Sequence, residues 1–295
     1  MKILSLIAER LRRGLYLALL SPFMLLPIES ASALGSRLAR MLGPRLGVQR
    51  LARRNMTRAF PEKTPAEIEA HLTEMWDNIG RVVGEFPHLG KLDIYHDGRF
   101  EVIGAEHVEA MLRDGKPGIF FSAHLGNWEL SIHGVAQQGP LTAPMGAAYR
   151  APNDPAAEWL IRRMRRSSGA ELLPKGAKGS RRIVEILRAG GHVGMLPDQK
   201  MNDGIAAPFF GRPAMTTSAI ARLALKFGCV VMPGRVERLG GVRFRLTGYP
   251  PLPLPDSGDR HADVLALTTT INQVIEGWIR ERAGQWFWVH KRWPD

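Results

Sequence analysis

Residues 118–130, reading GIFFSAHLGNWEL, constrain the fold of this chain more than any other stretch. Behind Pro117-Gly118 comes a short run rich in Ile and Phe, the pattern of a buried strand over 118–123. A break at Leu125-Gly126-Asn127 follows, and a helix is expected over 128–138. A strand that feeds a helix through so short a turn belongs to a layered α/β structure. The pattern recurs downstream. Strands are expected at 101–104, 141–148, 192–196, 229–236 and 242–247. Helices are expected at 105–114, 153–166, 179–189, 216–227 and 262–282, and an earlier one starts at Thr64-Pro65-Ala66-Glu67 as a capping box. Ligands of such sheets gather beyond the carboxyl ends of the strands. His124, Arg150 and Asp198 would all fall there.

His124 directly follows the first buried strand, and Glu129 opens the helix after it. On one continuous helix five residues rotate by about 500°, which separates two side chains onto different faces. A strand–turn–helix break removes that objection, because the turn can fold the carboxylate back onto the imidazole. A carboxylate on one ring nitrogen fixes the tautomer and leaves the other nitrogen free to take a proton. Gly126 would let a substrate approach closely. The spacing alone is weak, and a lone histidine is more often structural than catalytic.

Charge adds a second constraint. Of the formal +12, residues 1–60 carry 11 Lys/Arg against 2 Asp/Glu, so most of the excess is N-terminal. Residues 15–28 read LYLALLSPFMLLPI behind Arg10, Arg12 and Arg13. The run is shorter than the roughly twenty residues that span a bilayer and contains Pro22 and Pro27. It could span marginally, or lie in the interface with its arginines on lipid phosphates. Ala31-Ser32-Ala33 also mimics a signal cleavage site, but retention is favoured because the next stretch stays basic. From 37 to 60, short arginine-rich helices broken at Gly43-Pro44 suit a membrane face. Nucleic acid competes on charge alone, but no nucleic-acid motif is present. The single cysteine, Cys229, excludes internal disulfides and a Cys-rich metal site, and is expected as a buried, inert thiol.

Several ordered motifs together carry a resemblance. FSAHLGNWEL, Tyr149-Arg150, Leu196-Pro197-Asp198-Gln199, Pro208-Phe209-Phe210-Gly211 and the tail WFWVHKRW at 286–293 resemble the bacterial lipid A biosynthesis acyltransferases, the late lauroyl/myristoyl transferases. The resemblance covers nearly the whole chain. The wider lysophospholipid acyltransferase-like superfamily shares a His-x4-Asp or His-x4-Glu signature, here in its glutamate form. The resemblance implies a glycerolipid acyltransferase-like fold: a central mixed sheet flanked by helices, with an N-terminal hydrophobic membrane-anchor helix. Residues 1–35 would be the anchor and 36–295 the acyltransferase domain. It implies an enzyme at the cytoplasmic face of the inner membrane that moves a fatty acyl chain from acyl carrier protein to a hydroxyl of a lipid A precursor. His124 would be the general base and Glu129 its orienting carboxylate, with no acyl-enzyme, no metal and no cofactor beyond the acyl-carrier co-substrate.

Arg150 would hold a phosphate or the developing oxyanion, with a strand-end salt bridge as its plain alternative. Asp198 would orient substrate or an arginine, and Asn127 and Gln199 would join the substrate-binding set. Arg162, Arg163 and Arg166 can share a helix face with Trp159 and meet lipid phosphates or the acidic carrier protein. Phe209 and Phe210 would line the acyl path or sit in the core. The Trp-rich tail is expected to fold back on the core, with Arg292 against a ring, in preference to an interfacial belt. The other histidines are expected to be structural. Competing readings are a same-fold acyltransferase with another glycolipid or aminolipid acceptor, and an idle lipid-binding protein that keeps the fold.

Overall fold

A computed structural model describes residues 2–138 and 143–294, with side chains from residue 7 onward. Four helices come first: α1 (Lys2–Leu25), α2 (Ile28–Leu42), α3 (Val48–Ala59) and α4 (Pro65–Glu85). The break between α2 and α3 is a 3₁₀ turn at Gly43–Arg45, where Pro44 removes a backbone donor. Thr64 and Glu67 form the expected reciprocal capping box at the start of α4, a device that stabilises a helix by about 1 kcal/mol. The alternating part follows: β1 (Phe100–Ile103), α5 (Ala105–Arg113), β2 (Gly118–Phe121), α6 (Glu129–Gln137), β3 (Met145–Tyr149) and α7 (Pro155–Arg165). Then come β4 (Glu171–Pro174), α8 (Ala177–Arg188), β5 (His192–Met195), β6 (Ile205–Phe209), β7 (Arg212–Thr216) and α9 (Ala219–Phe227). Strands β8 (Val230–Gly240) and β9 (Arg243–Gly248) and the long helix α10 (Arg260–Glu281) complete the order.

Seven strands form one mixed sheet in the order β1-β9-β8-β2-β5-β3-β4. Only β8 and β9 pair antiparallel; the other pairings of this sheet are parallel. The expected central mixed sheet flanked by helices is therefore present. All four residues of β2 are buried because β5 and β8 flank it and helices cover both faces. Ile119 and Phe121 join the large core that includes Ile271, Ile275 and Trp278 of α10, whereas Phe120 meets Met111 of α5 on the other face. Residues 141–142 of the strand expected over 141–148 lie outside the described residues; β3 itself starts at Met145.

Two strands, β6 and β7, escaped the sequence reading. They form a separate hairpin whose two-residue turn is Phe210-Gly211, both at positive φ (52° and 67°). That turn geometry usually calls for Asn-Gly or Asp-Gly, and Pro208 faces Pro213 across the pair, so both ordinary strand signals were missing. Strand β4, Glu-Leu-Leu-Pro, is too short and too polar at its start to stand out.

The N-terminal region differs from the expected anchor. Among the described residues no helix is long and apolar enough to cross a membrane. The arginines thought to flank the apolar run lie inside α1, together with Glu9. The longest uncharged stretch of α1 runs from Gly14 to Leu25, about 18 Å of helix against a hydrocarbon core of about 30 Å. One side of α1 docks on the body of the protein. Tyr16 donates to Asp154 (2.6 Å), the N-cap of α7, and Arg13 lies 5.0 Å from the Trp159 ring centre. On the other side Ile7, Leu11, Leu15 and Leu19 recur every four residues and are exposed. Helix α2 runs through residue 35, where the anchor was expected to end, and is built into the fold. Gly35 and Gly80 let α2 and α4 touch backbone to backbone: a Cβ on Gly35 would stand 2.0 Å from the Gly80 carbonyl oxygen.

Candidate active site

The turn after β2 is held from three sides. Ser122 N–H extends the ladder by donating to Met195 O of β5 (3.1 Å). The C-terminal tail runs along the next residues. Leu125 and Trp286 form an antiparallel bridge, Phe287 N–H donates to His124 O (3.0 Å) and Gly126 N–H to Gln285 O (3.1 Å). Beneath lies a buried polar network. Asn78 Nδ2 donates to Gly126 O (2.9 Å), and Asn127 Nδ2 to Glu85 Oε2 (2.8 Å). Glu85 in turn accepts both terminal nitrogens of Arg238, and Arg238 Nε donates to Asn78 Oδ1 (2.8 Å). Gly126 adopts φ +57°, and a Cβ there would stand 2.5 Å from Val236 O. The close approach that requires glycine is thus to β8.

This scaffold presents His124 with 19% of its side chain exposed, against a completely buried Asp198. His124 Nδ1 lies 2.8 Å from Asp198 Oδ1, and its backbone N–H donates to Oδ2 (2.9 Å). Trp286 Nε1–H donates to the same Oδ2 (2.8 Å). Burial by itself would raise the Asp198 carboxyl, but the charge and hydrogen bonds of His124 outweigh it and hold it far below the usual carboxylate range. An ionised carboxylate only accepts, so Nδ1 carries a hydrogen, and in the neutral ring Nε2 is the nitrogen with the free lone pair. Nε2 meets the Gln199 side-chain amide, 3.4 Å away. The imidazole ring is cradled by Trp128 (5.3 Å between centres) and Phe287 (6.2 Å).

Glu129 does not occupy the place expected for it. Its carboxylate makes a two-pronged pair with Arg165, Oε2 to Nε at 2.7 Å and Oε1 to Nη2 at 2.6 Å, and Oε1 also accepts from Trp128 Nε1 (3.0 Å). The partner of the imidazole is Asp198 instead. As the first residue of α6, Glu129 is turned toward the end of α7. Burial would lower the Arg165 guanidinium, but the adjacent Glu129 charge more than compensates and raises it. Trp128 spans the two groups, its ring against His124 and its N–H on Glu129.

His124, Trp128, Glu129 and Arg165 line one cavity of about 520 Å³ at the carboxyl ends of β2, β5 and β3. This volume is typical of a small-ligand or lipid site. One part is apolar, walled by Val102, Ile103, Val108, Val135, Met232 and Leu246. Tyr95 lines it as well; burial pushes its phenol up to about 12, and the hydroxyl donates to Gly134 O (2.9 Å). The other part carries Arg150, Lys175, Gln199 and Lys200. Among the described residues no group of three His, Cys, Asp or Glu could hold a metal ion.

A strand-end histidine with a buried carboxylate, beside an apolar cavity with a basic end, suits proton transfer on an amphiphilic substrate. The profile of the bacterial lipid A biosynthesis acyltransferases matches residues 3–295. The chain belongs to that family. Relatives include the lipid A biosynthesis palmitoleoyltransferase of Escherichia coli K12, 26% identical over 277 residues, covering 90% of this chain and 86% of the relative. The lauroyltransferase of the same organism is 25% identical over 253 residues (82% and 78%), and the myristoyltransferase 28% identical over 265 residues (87% and 78%). The protein is thus an acyltransferase of lipid A biosynthesis type.

The cavity gathers His124, Glu129, Arg150 and Gln199 on its walls, with Asp198 directly behind His124. Asn127 is not on that wall: it is fully buried, and its Nδ2 donates to Glu85. Arg162, Arg163 and Arg166 are exposed on the outer side of α7 and its following turn. Arg162 reaches the Tyr149 hydroxyl (3.3 Å), and Arg163 stacks on Trp159. The arginine of that cluster in the cavity is Arg165, left out of the sequence-based set. Its step of four from Ile161, which also lines the cavity, was the available signal. Phe209 and Phe210 are core residues, packed with Trp293 and Trp288. The tail folds inward as expected, Trp286 and Trp288 fully buried and Arg292 4.7 Å from the Phe209 ring centre. Cys229 is buried, its thiol pushed up to about 11, as expected of an inert residue. Sequence reasoning missed Glu85, Asn78 and Arg238, which touch the turn only through tertiary contacts.

Proposed function

We propose that this acyltransferase moves a fatty acyl chain from an acyl carrier protein thioester to a hydroxyl of a lipid A precursor, as a late acylation. The observation that carries the reading is His124 in the wall of a cavity that carries both apolar and basic side chains, with Asp198 paired to it from behind. Nε2 of His124, its lone pair exposed by the Nδ1–H bond to Asp198, takes the proton of the acceptor hydroxyl. The oxygen attacks the thioester carbonyl carbon, a tetrahedral intermediate forms, and the carbon–sulfur bond breaks. The proton on His124 passes to the departing thiolate, and the ring is restored. No residue is acylated. The apolar wall takes the hydrocarbon chain. Arg165, fixed by Glu129, and Arg150 at the rim are placed to meet the oxyanion or a substrate phosphate. The arginines on the outer side of α7 offer an acidic carrier protein a place to dock.

Two experiments test this. Lipid A from cells lacking the protein, analysed by mass spectrometry, is expected to lack one secondary acyl chain; restoring the wild-type gene returns it. Unaltered lipid A with a change in another glycolipid or an aminolipid would transfer the same chemistry to that acceptor. Membrane contact is assigned to the exposed apolar side of α1, with the likewise exposed Leu38, Met41, Leu42 and Leu46 adding apolar surface, lying in the cytoplasmic leaflet of the inner membrane with arginines on lipid phosphates. Replacing Leu11, Leu15 and Leu19 together by Glu removes three apolar anchors of about 1.5–3 kcal/mol each and adds repulsion. Binding to phosphatidylglycerol vesicles is expected to weaken by at least about 100-fold. Unchanged co-sedimentation would place the membrane contact elsewhere.

A further inference from the structure

The C-terminal tail does more than complete the core. Trp286 is fully buried among Phe209, Trp288 and His290, and its single polar atom points at Asp198 Oδ2 (2.8 Å). The same oxygen takes the His124 backbone N–H, which leaves Oδ1 for the imidazole Nδ1–H. Two donors on one oxygen set the roll of the carboxylate about its own axis and so aim the other oxygen at the ring. The tail is itself registered against the catalytic turn by Phe287 N–H on His124 O and by the Leu125–Trp286 bridge. The indole is therefore held to the residue it serves from both directions.

We propose that Trp286 is a positioning residue for catalysis, acting through Asp198 on the imidazole of His124. The inference rests on the reading of His124 as general base. With the indole N–H present, Asp198 is fixed and part of its charge is spent on Trp286. Without it, the carboxylate can turn away from Nδ1, and while in place it holds the protonated ring more tightly. The first effect slows turnover. The second moves the acidic limb of the pH–rate profile upward. Two buried titratable groups beside this pair stay outside that window. Burial drives His290 down to about 4, so it stays neutral, and Arg292 stays charged even though burial lowers it to about 10. Glu129 and Arg165 are already paired with each other beyond Trp128.

The test compares the purified full-length enzyme and its variants on an acyl carrier protein thioester and a lipid A precursor without secondary acyl chains. Trp286→Phe keeps an aromatic ring and loses the donor, and Trp286→3-benzothienylalanine keeps the whole bicyclic shape with sulfur in place of N–H. Both are expected to lose about tenfold in kcat, the rate equivalent of one net hydrogen bond, with KM for either substrate within about twofold, and to shift the acidic limb to higher pH. Trp288→Phe is the control for mere packing. Trp288 is equally buried in the same tail, but its N–H goes to Ala283 O (2.8 Å). It is expected to lower Tm and leave the limb in place. A wild-type limb and wild-type kcat in the benzothienyl variant, or an equal shift in Trp288→Phe, overturns the inference. His124→Ala separates the two levels. If it is inactive while Trp286 variants are normal, only the positioning role falls. If it turns over normally, the underlying reading falls.

Discussion

His124→Ala is expected to lose acyl transfer by roughly 10²–10⁴-fold, the usual contribution of a positioned general base. The loss should fall on kcat, because the ring contacts the reacting hydroxyl and little else of either substrate. Folding should survive. The variant leaves Asp198 buried, yet two of its three donors remain, the backbone N–H of residue 124 and Trp286 Nε1. The cost of one lost partner on a buried acceptor is about 1–3 kcal/mol. Single-turnover assays with Tm measured alongside check both parts. Turnover within a few-fold of wild type, in a folded variant, would remove His124 from the chemistry.

The second large effect distinguishes the two carboxylates. Asp198→Asn is nearly isosteric but puts an amide where an ionised acceptor stood. The ring then favours the tautomer with hydrogen on Nε2, the wrong one to accept a proton. Orienting carboxylates of this kind are worth roughly 10⁴-fold in kcat, and a loss of that order is expected here with substrate KM little changed. Glu129→Gln should behave differently. It strips the charge from a pair in which Glu129 is 7% and Arg165 20% exposed at the side chain, leaving a mostly buried guanidinium uncompensated at a cost of about 3 kcal/mol. Its activity loss should come with lower stability and with the acidic limb of the pH profile in place. The reverse pattern, with Asp198→Asn near normal and Glu129→Gln moving the limb, would restore the His124–Glu129 pairing expected from the motif.

That contrast shows how far the motif could be read. The His-x4-Glu string marked the right turn, and both residues reach the cavity. The string also suggested that its two ends meet, and they do not: Glu129 opens α6 and turns to Arg165. The sequence singles out Asp198 as well, but for orienting substrate or an arginine. Its true neighbour is 74 residues away in the chain and adjacent only because β2 and β5 pair in the sheet. Asn127 looked like part of a substrate site because it belongs to the same string. In the fold it faces down, into the Glu85–Arg238 network that fixes the turn from below. At the N-terminus, the apolar run and its arginines were visible, but their register on a single helix was not. That register places charges within α1, so no membrane-crossing length remains, while an exposed apolar stripe does.

What the sequence determined by itself was local: the buried β2 strand, the turn that exposes His124 at its end, the capped starts of α4 and α7, and the alternation that makes an α/β sheet. These follow from side-chain periodicity and capping within a few residues of chain. The tertiary structure alone decided which carboxylate serves the imidazole, which of the α7 arginines enters the cavity, and that Trp286 returns from the far end of the chain to brace Asp198. The physical reason is that strand order in the sheet and the path of the tail bring together groups with no fixed spacing in sequence. A buried carboxylate at such a meeting point takes the donors that close packing brings to it.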